Sequence, residues 1–333
     1  MEKIIIDKIS EIIDKQSKKT LKELDAIKRV TILSNNVVDI EIEIDDILHQ
    51  DHIKREVAKI VKLELKYPGV KIEIKGKENE VLSNEEEKNK VRYIAIASGK
   101  GGVGKSTVTA NLANALSKLG KKVGIIDVDI YGASIPFIFG MEIKPLDLDS
   151  KGKIIPARYE NLEIISTEFF VPKDKPLMWR APIASQMTEM FFESVSWQQE
   201  LDFIIIDMPP GTGDIAIDVR ELVPKSEMII VTNPNVSAAN IAVKAGLGSR
   251  ELGHNIKGVI ENMSFYYNAC SKEKEYLFGE GGGSLVAEKL GVDLLAQIPI
   301  TKPNDFDNLY DYNGLQGKTY LLLAKKFTEE NNG

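Results

Sequence analysis

Four glycines and two lysines are packed into Ser98-Gly-Lys-Gly-Gly-Val-Gly-Lys-Ser-Thr107, and that mixture suits one kind of chemistry. Glycines at 99, 101, 102 and 104 let backbone N–H groups turn inward around an anion, and a helix beginning just beyond adds the positive end of its dipole. Gly99 and Gly104 with Lys105-Ser106 satisfy the spacing G-x-x-x-x-G-K-[ST]. In that pattern the lysine neutralises terminal phosphates and the hydroxyl ligates Mg²⁺. The cradle is therefore Gly99, Lys100, Gly101, Gly102, Val103, Gly104, Lys105, Ser106 and Thr107, and its ligands are ATP and Mg²⁺. Lys100 is a second cation inside the loop, which the plain pattern does not require. A glycine-rich turn carrying a lysine by chance has no need of a strand before it and a helix after it.

Three carboxylates fit the same machine. Gly124-Ile-Ile-Asp127-Val-Asp129 ends one apolar run and Phe203-Ile-Ile-Ile-Asp207 ends another. In a doubly wound sheet ligands lie beyond the carboxyl ends of the strands, so these side chains should face a Mg²⁺–phosphate group. Asp207 is expected to hold Mg²⁺ through water, with Asp127 and Ser106 as further metal positions. Asp129 is the group expected to orient the attacking water. Asn262 and Asn233 follow apolar runs and are expected at the nucleotide base, although strand-end asparagines also form turns.

The elements that must position these groups are legible from residue 91 onward. Short apolar runs stand at Tyr93–Ala97, Val123–Ile126, Leu162–Ile165, Phe203–Ile206, Met228–Val231, Ile256–Val259 and Leu294–Ile298. Several are apolar throughout, as strands covered on both faces must be. Helical patterns separate them at Ser106–Leu119, Ala181–Ser194, Ala238–Leu252 and Ser284–Leu290. Alternating strands and helices give an α/β fold, a doubly wound and mostly parallel sheet over residues 91–333.

Residues 1–76 read as a small α+β module in the order helix, strand, strand, helix, strand. Isoleucines recur at helical spacing near the start, and Val38, Ile40, Ile42 and Ile44 alternate with acidic residues in a half-buried strand. Residues 77–90, KENEVLSNEEEKNK, have the charge of a flexible linker. The chain has 333 residues, 43% hydrophobic and 28% charged, with a formal net charge of −7. An acidic balance argues against non-specific nucleic-acid binding. The single cysteine, Cys270, excludes an intrachain disulfide, and no apolar run of membrane-span length or signal-peptide type is present, so a cytoplasmic location is expected.

The segment Lys100-Gly-Gly-Val-Gly-Lys105 resembles the deviant Walker A motif of a group of dimeric P-loop ATPases. Asp127-Val-Asp-Ile-Tyr-Gly-Ala-Ser-Ile-Pro136, Trp179-Arg-Ala-Pro182, Trp197 with Leu201-Asp202-Phe203, and Asp207-Met-Pro-Pro-Gly-Thr-Gly-Asp214 are similar to the Mrp/NBP35 (ApbC) branch of that group. So are Glu261-Asn-Met-Ser264, Phe278-Gly-Glu-Gly-Gly-Gly283 and Gln297-Ile-Pro-Ile300. The small module more loosely resembles the MIP18-like domain that many such proteins carry in front. The resemblance implies a homodimeric ATPase that passes iron–sulfur clusters to apoprotein clients or works with assembly proteins. It also implies that Lys100 reaches the partner subunit's nucleotide, and it assigns Asn262 to the adenine. One departure is plain. Relatives hold the cluster with a C-x-x-C pair just after this Glu-Asn-Met-Ser segment, where this chain has Asn268-Ala-Cys270-Ser271. Cys270 is left as a weak cluster ligand, one thiol where the family's pattern has two.

Two other functions fit the cradle. One is a nucleotide-switched protein-binding ATPase that carries no cluster. The other is a ParA- or MinD-like positioning ATPase, which the acidic charge disfavours. His49, His52 and His254 are expected as exposed polar residues; His49 and His52 lack a third metal ligand. The last helix, Tyr320–Phe327, is followed by acidic rather than basic residues and is expected to pack on the core rather than on a membrane. Phe265, Tyr266 and Tyr267 are either core or dimer contacts.

Overall fold

The computed structural model describes residues 2–13, 19–33, 36–44, 50–76, 91–170, 181–304 and 307–330. Residues 77–90, His49, the side chain of His52 and the Trp179-Arg180 pair lie outside the described residues. The chain divides into two compact units, Met1–Lys88 and Asn89–Gly333.

In the first unit, α1 (Glu2–Ile9) is followed by β1 (Ile27–Ile32), β2 (Val37–Ile44), α2 (Gln50–Lys59) and β3 (Gly69–Gly76). The sheet order is β1-β2-β3, antiparallel between the first two and parallel between the last two. The alternation in β2 decides what is buried. Val38, Ile40 and Ile42 are fully enclosed with Ile5 and Ile9 of α1 and Ile53 and Val57 of α2, whereas Asp39 and Glu41 between them pair with Arg29.

The second unit runs β4 (Arg92–Ser98), α3 (Lys105–Lys118), β5 (Val123–Asp127), α4 (Ile135–Ile138), β6 (Ala157–Tyr159), β7 (Leu162–Ser166), α5 (Ala181–Glu193) and β8 (Phe203–Pro210). It continues α6 (Asp214–Leu222), β9 (Glu227–Thr232), α7 (Val236–Glu251), β10 (Asn255–Glu261), β11 (Tyr266–Asn268), β12 (Glu273–Glu275), α8 (Gly282–Leu290), β13 (Asp293–Gln297) and α9 (Leu315–Glu329). Eight strands form one sheet in the order β13-β10-β9-β4-β8-β5-β7-β6. All pairings are parallel except that of β6, a three-residue edge strand too short to show in the apolar pattern.

The continuous apolar runs have the reason given for them. In β4, Ile94 and Ile96 join the core under α3 and α9, while Ala95 and Ala97 face the opposite core under α5, α6 and α7. One strand thus supplies two hydrophobic layers from alternate residues. Helix α9 buries Tyr320, Leu323, Ala324 and Phe327 in the same core as Leu112 and Leu116 of α3. Arg92 fastens its end, donating to the Phe327 carbonyl at 2.7 Å and to Glu330 at 2.7 Å while also pairing with Glu227. Among the described residues no helix is long and apolar enough to cross a membrane.

Candidate functional site

β4 lies between β9 and β8, and the crossover through α3 passes over β8 to reach β5. The chain therefore turns from strand to helix at the switch point of the sheet, where a crevice opens. Gly102 and Gly104 adopt φ of 81° and 83°, which favours glycine over any residue with a Cβ. Space is equally decisive. A Cβ on Gly104 would sit 2.1 Å from the Asn262 amide nitrogen, and one on Gly99 would sit 2.6 Å from the Ile241 carbonyl oxygen. No side chain caps α3, so its first N–H groups are left for an anion.

The charges converge on Lys105, which is only 6% exposed. Its ammonium lies 2.8 Å from Asp207 and 3.2 Å from Asp129. Burial alone would lower its pKa, but Asp207 and Asp129 outweigh that and raise it. The Ser106 hydroxyl donates to one Asp207 oxygen at 2.6 Å, and Thr109 donates to the other at 2.7 Å. Burial pushes the Asp129 carboxyl upward, and Lys105 opposes that. With phosphates in the cradle, Lys105 has a competing partner for its charge.

Asp127 is set further back. It is fully buried, accepts from Ser166 at 2.9 Å and from the Asp129 backbone N–H at 3.2 Å, and does not line the cleft. Burial, then the neighbouring Asp207, pushes its pKa up to about 8.

A cleft of about 490 Å³ spans the cradle, with Lys100, Ser106, Thr107 and Asp129 in its wall. Its far end is made by Pro303, Asn308 and Tyr310, which carry no motif and escaped the sequence reading. Tertiary bonds hold two of them there: the Tyr310 N–H donates to Asn111 of α3 at 3.0 Å, and the Asn308 N–H donates to the Ile138 carbonyl at 2.7 Å. Lys100 is exposed, and its ammonium has no ion pair among the described residues. A second, more apolar cleft opens on the other side of Asp129, between Tyr131, Pro210 and Ile215. Tyr131 is 64% exposed.

The two asparagines differ. The Asn233 side chain accepts from the Asn235 N–H at 3.2 Å, a turn bond. Asn262 is buried and donates to the Val103 carbonyl at 2.9 Å, from behind the cradle. The following hairpin, β11–β12, buries Phe265 and leaves Tyr266, Tyr267 and Cys270 exposed. Asn268 closes it, accepting from the Cys270 N–H at 2.9 Å and the Ser271 N–H at 3.3 Å and donating to Glu275 at 2.6 Å. Among the described residues no group of three or more His, Cys, Asp or Glu side chains is placed to hold a metal ion.

One expectation is overturned. His254 is not exposed but 4% accessible, its Nε2 bonded to the Ala216 carbonyl at 2.9 Å. Gly253, at φ 89°, turns the chain inward after α7 and carries the ring against α6. Burial lowers its pKa.

A phosphate cradle at the switch point of a doubly wound sheet, with its lysine and serine backed by an aspartate from the neighbouring strand, defines a P-loop nucleoside triphosphatase. Within that class the chain belongs to the ParA family described as NUBPL iron-transfer P-loop NTPase, whose model matches residues 89–313. It is 45% identical over 240 residues to an iron–sulfur cluster carrier protein of Bacillus subtilis, covering 70% of this chain and 67% of that one. It is 42% identical to an iron–sulfur cluster carrier protein of Mycobacterium leprae over 63% of this chain and 55% of that one. Among solved structures, a nucleotide-binding protein from Archaeoglobus fulgidus in complex with ADP is 30% identical with a TM-score of 0.52, covering 69% of this chain and 87% of the other.

Proposed function

We propose that this protein hydrolyses ATP as a homodimer and serves iron–sulfur cluster delivery to apoproteins, in a form whose own side chains do not complete a cluster site. The observation that carries the ATPase half is the contact of Lys105 and Ser106 with Asp207 directly under the cradle. Names borne by the relatives at 42–45% identity support the delivery half.

The backbone N–H groups of Gly101 to Ser106 would bind the phosphates, and Lys105 would transfer from its carboxylate partners to their charge. Ser106 and Asp207 are hard oxygen donors 2.6 Å apart, a set that fits Mg²⁺, with Asp127 supporting them from behind. Mg²⁺ there would offset charge on the phosphate oxygens. Asp129 stands at the cleft wall to orient water. Lys100, exposed and without an ion pair among the described residues, is free to reach the nucleotide of a second subunit. Asn233 and Asn262 border the nucleotide-binding end of the sheet. The small first unit, of MIP18-like resemblance, would serve partner contacts in the cytoplasm.

The hairpin favours a second reading, a nucleotide-switched ATPase that binds partners and carries no cluster. A four-iron cluster wants four thiolates, and two copies of this chain offer only two, one Cys270 each. Asn268 is already committed to three hydrogen bonds that close the turn. Anaerobic reconstitution followed by iron and sulfide analysis decides between the readings. The first predicts a labile cluster, or one retained only with an added thiol or a client's cysteines. No cluster under any of these conditions establishes the second. About four iron and four sulfide per dimer, resistant to chelator without added thiol, contradicts the ligand count behind both.

A further inference from the structure

Alternate residues of a strand face one side of a sheet, and three strands near the cradle keep that alternation to their polar ends. Val123 and Ile125 of β5, Leu162 and Ile164 of β7, and Phe203 and Ile205 of β8 all lie in the core under α3. The next residue on that face is polar in each case: Asp127, Ser166 and Asp207. Direct register sets Ser166 beside Asp127 and Asp127 beside Asp207, so three fully buried polar side chains form one row. Helix α3 meets the Asp207 end of this row through Lys105, Ser106 and Thr109. The Ser166 end lies on the third strand from β4, away from the cradle.

Two bonds aim the Ser166 hydroxyl. Its oxygen accepts from the Glu168 N–H at 3.4 Å, in the turn Thr167–Phe170, and its own proton goes to Asp127 Oδ2 at 2.9 Å. Among the described residues it is the one side chain that donates to Asp127. Everything else that Asp127 accepts is backbone: the Asp129 N–H on Oδ1 at 3.2 Å and the Ile135 N–H on Oδ2 at 3.4 Å. Those residues are the two ends of the loop Asp129-Ile-Tyr-Gly-Ala-Ser-Ile135, from which Asp129, Gly132 and Ser134 enter the cleft wall. One carboxyl group thus holds both ends of the loop, and one hydroxyl orients that carboxyl.

We propose that Ser166 is a positioning residue for hydrolysis: by orienting the Asp127 carboxyl it fixes the 129–135 loop, and with it the place of Asp129 at the cleft. Without the hydroxyl, Asp127 is held only by N–H groups of the loop that it steadies. The loop gains freedom, and Asp129 spends less time in the geometry that orients water. Nucleotide binding is served separately, because Lys105, Ser106 and Thr109 reach Asp207 without Ser166. The inference rests on the proposed role of Asp129 and is independent of whether a cluster is carried.

The test measures Mg-ATP affinity, and single-turnover hydrolysis at saturating Mg-ATP, in five proteins. They are wild type, Ser166→Ala, Ser166→Cys, Asp129→Asn, and the double variant of Ser166→Ala with Asp129→Asn. Alanine removes the donor and cysteine fills the site with a weaker one, so a folding defect peculiar to either is exposed by the other. Both serine variants should hydrolyse about tenfold more slowly, the scale of one buried hydrogen bond, with affinity within about twofold of wild type. In the double variant the serine change should cost less than about twofold beyond Asp129→Asn, since a residue acting through Asp129 has nothing left to position. A further loss of about tenfold there would give Ser166 an effect of its own and overturn the proposal. So would a fall in affinity that matches the fall in rate, the mark of a general structural defect. Slow hydrolysis in Asp129→Asn with wild-type hydrolysis in both serine variants contradicts the proposal alone. Wild-type hydrolysis in Asp129→Asn contradicts the water-orienting role of Asp129 itself, and the proposal falls with it.

Discussion

Asp127 and Asp207 stand opposite each other in the β5–β8 ladder, in direct register and both fully buried. Parallel pairing sets the last residue of β5, Asp127, beside Asp207 of β8, which runs on to Pro210, and so brings two carboxylates together beneath the cradle, and Lys105 reaches Asp207 at 2.8 Å. One cation thus faces two buried carboxylates and a third, Asp129, at its side. The imbalance falls on Asp127, whose proton is held to about pH 8 by burial and by Asp207.

That shift sets a pH dependence of stability. A carboxyl whose folded-state pKa lies above its unfolded value of 3.8 contributes stability that is full below that value and is lost as pH rises through about 8. Asp127→Asn is neutral at every pH and should lack this decline. Relative to wild type, the variant's melting temperature should rise from about pH 5 and level off above about pH 8. Parallel melting curves across that window would show that Asp127 is ionised throughout.

Lys100→Ala should bind Mg-ATP as wild type does but lose turnover, since the exposed ammonium is placed to act outside its own cradle. By analogy with cations supplied in trans, the loss is on the order of 10³-fold in kcat. Steady-state phosphate release beside a binding titration checks it. Unchanged turnover would reduce Lys100 to scaffolding.

Asp129→Asn should retain Mg-ATP and hydrolyse it about 10²-fold more slowly, because an amide cannot polarise water as a carboxylate does. The substitution also removes one of the carboxylates beside Lys105, so affinity for the anionic nucleotide should not fall. Single-turnover hydrolysis at saturating ATP separates the two effects. Hydrolysis at the wild-type rate would move the water-orienting role elsewhere.

Asn268→Cys together with Ser271→Cys restores C-x-x-C at the hairpin. The double variant should hold about four iron and four sulfide per dimer after reconstitution, where wild type does not. Failure to load would mean that the hairpin's shape, and not its missing thiols, is what excludes a cluster.

Much of this was legible in the sequence, and the reason is physical. A buried parallel strand must be apolar on both faces, so Phe203–Ile206 and Met228–Val231 announce themselves, and a phosphate cradle needs glycines at fixed spacing. Asp127 and Asp207 could be placed at one end of the sheet because each directly follows an apolar run that must be a buried parallel strand, and Asp129 lies two residues beyond Asp127. Asn308 and Tyr310 could not, since their position depends on bonds to Ile138 and Asn111, distant in the chain. His254 was misjudged because its burial follows from the turn at Gly253 and the approach of α6, neither of which alters local hydropathy. Asn262 shows the middle case: its proximity to the nucleotide end of the sheet was readable, and its bond to the back of the loop was not.

The most direct test of the whole account is a Mg-ATP titration of the wild type beside Lys105→Ala, with hydrolysis measured on the same samples. Lys105 is the buried cation on which Asp207, Asp129 and the cradle converge. The account predicts saturable binding and measurable hydrolysis in wild type, with binding weakened at least about 10²-fold in the variant, as for a lost charge-assisted contact in a buried site. Wild-type affinity in Lys105→Ala would contradict the assignment of Gly99 to Thr107 as the nucleotide's phosphate site.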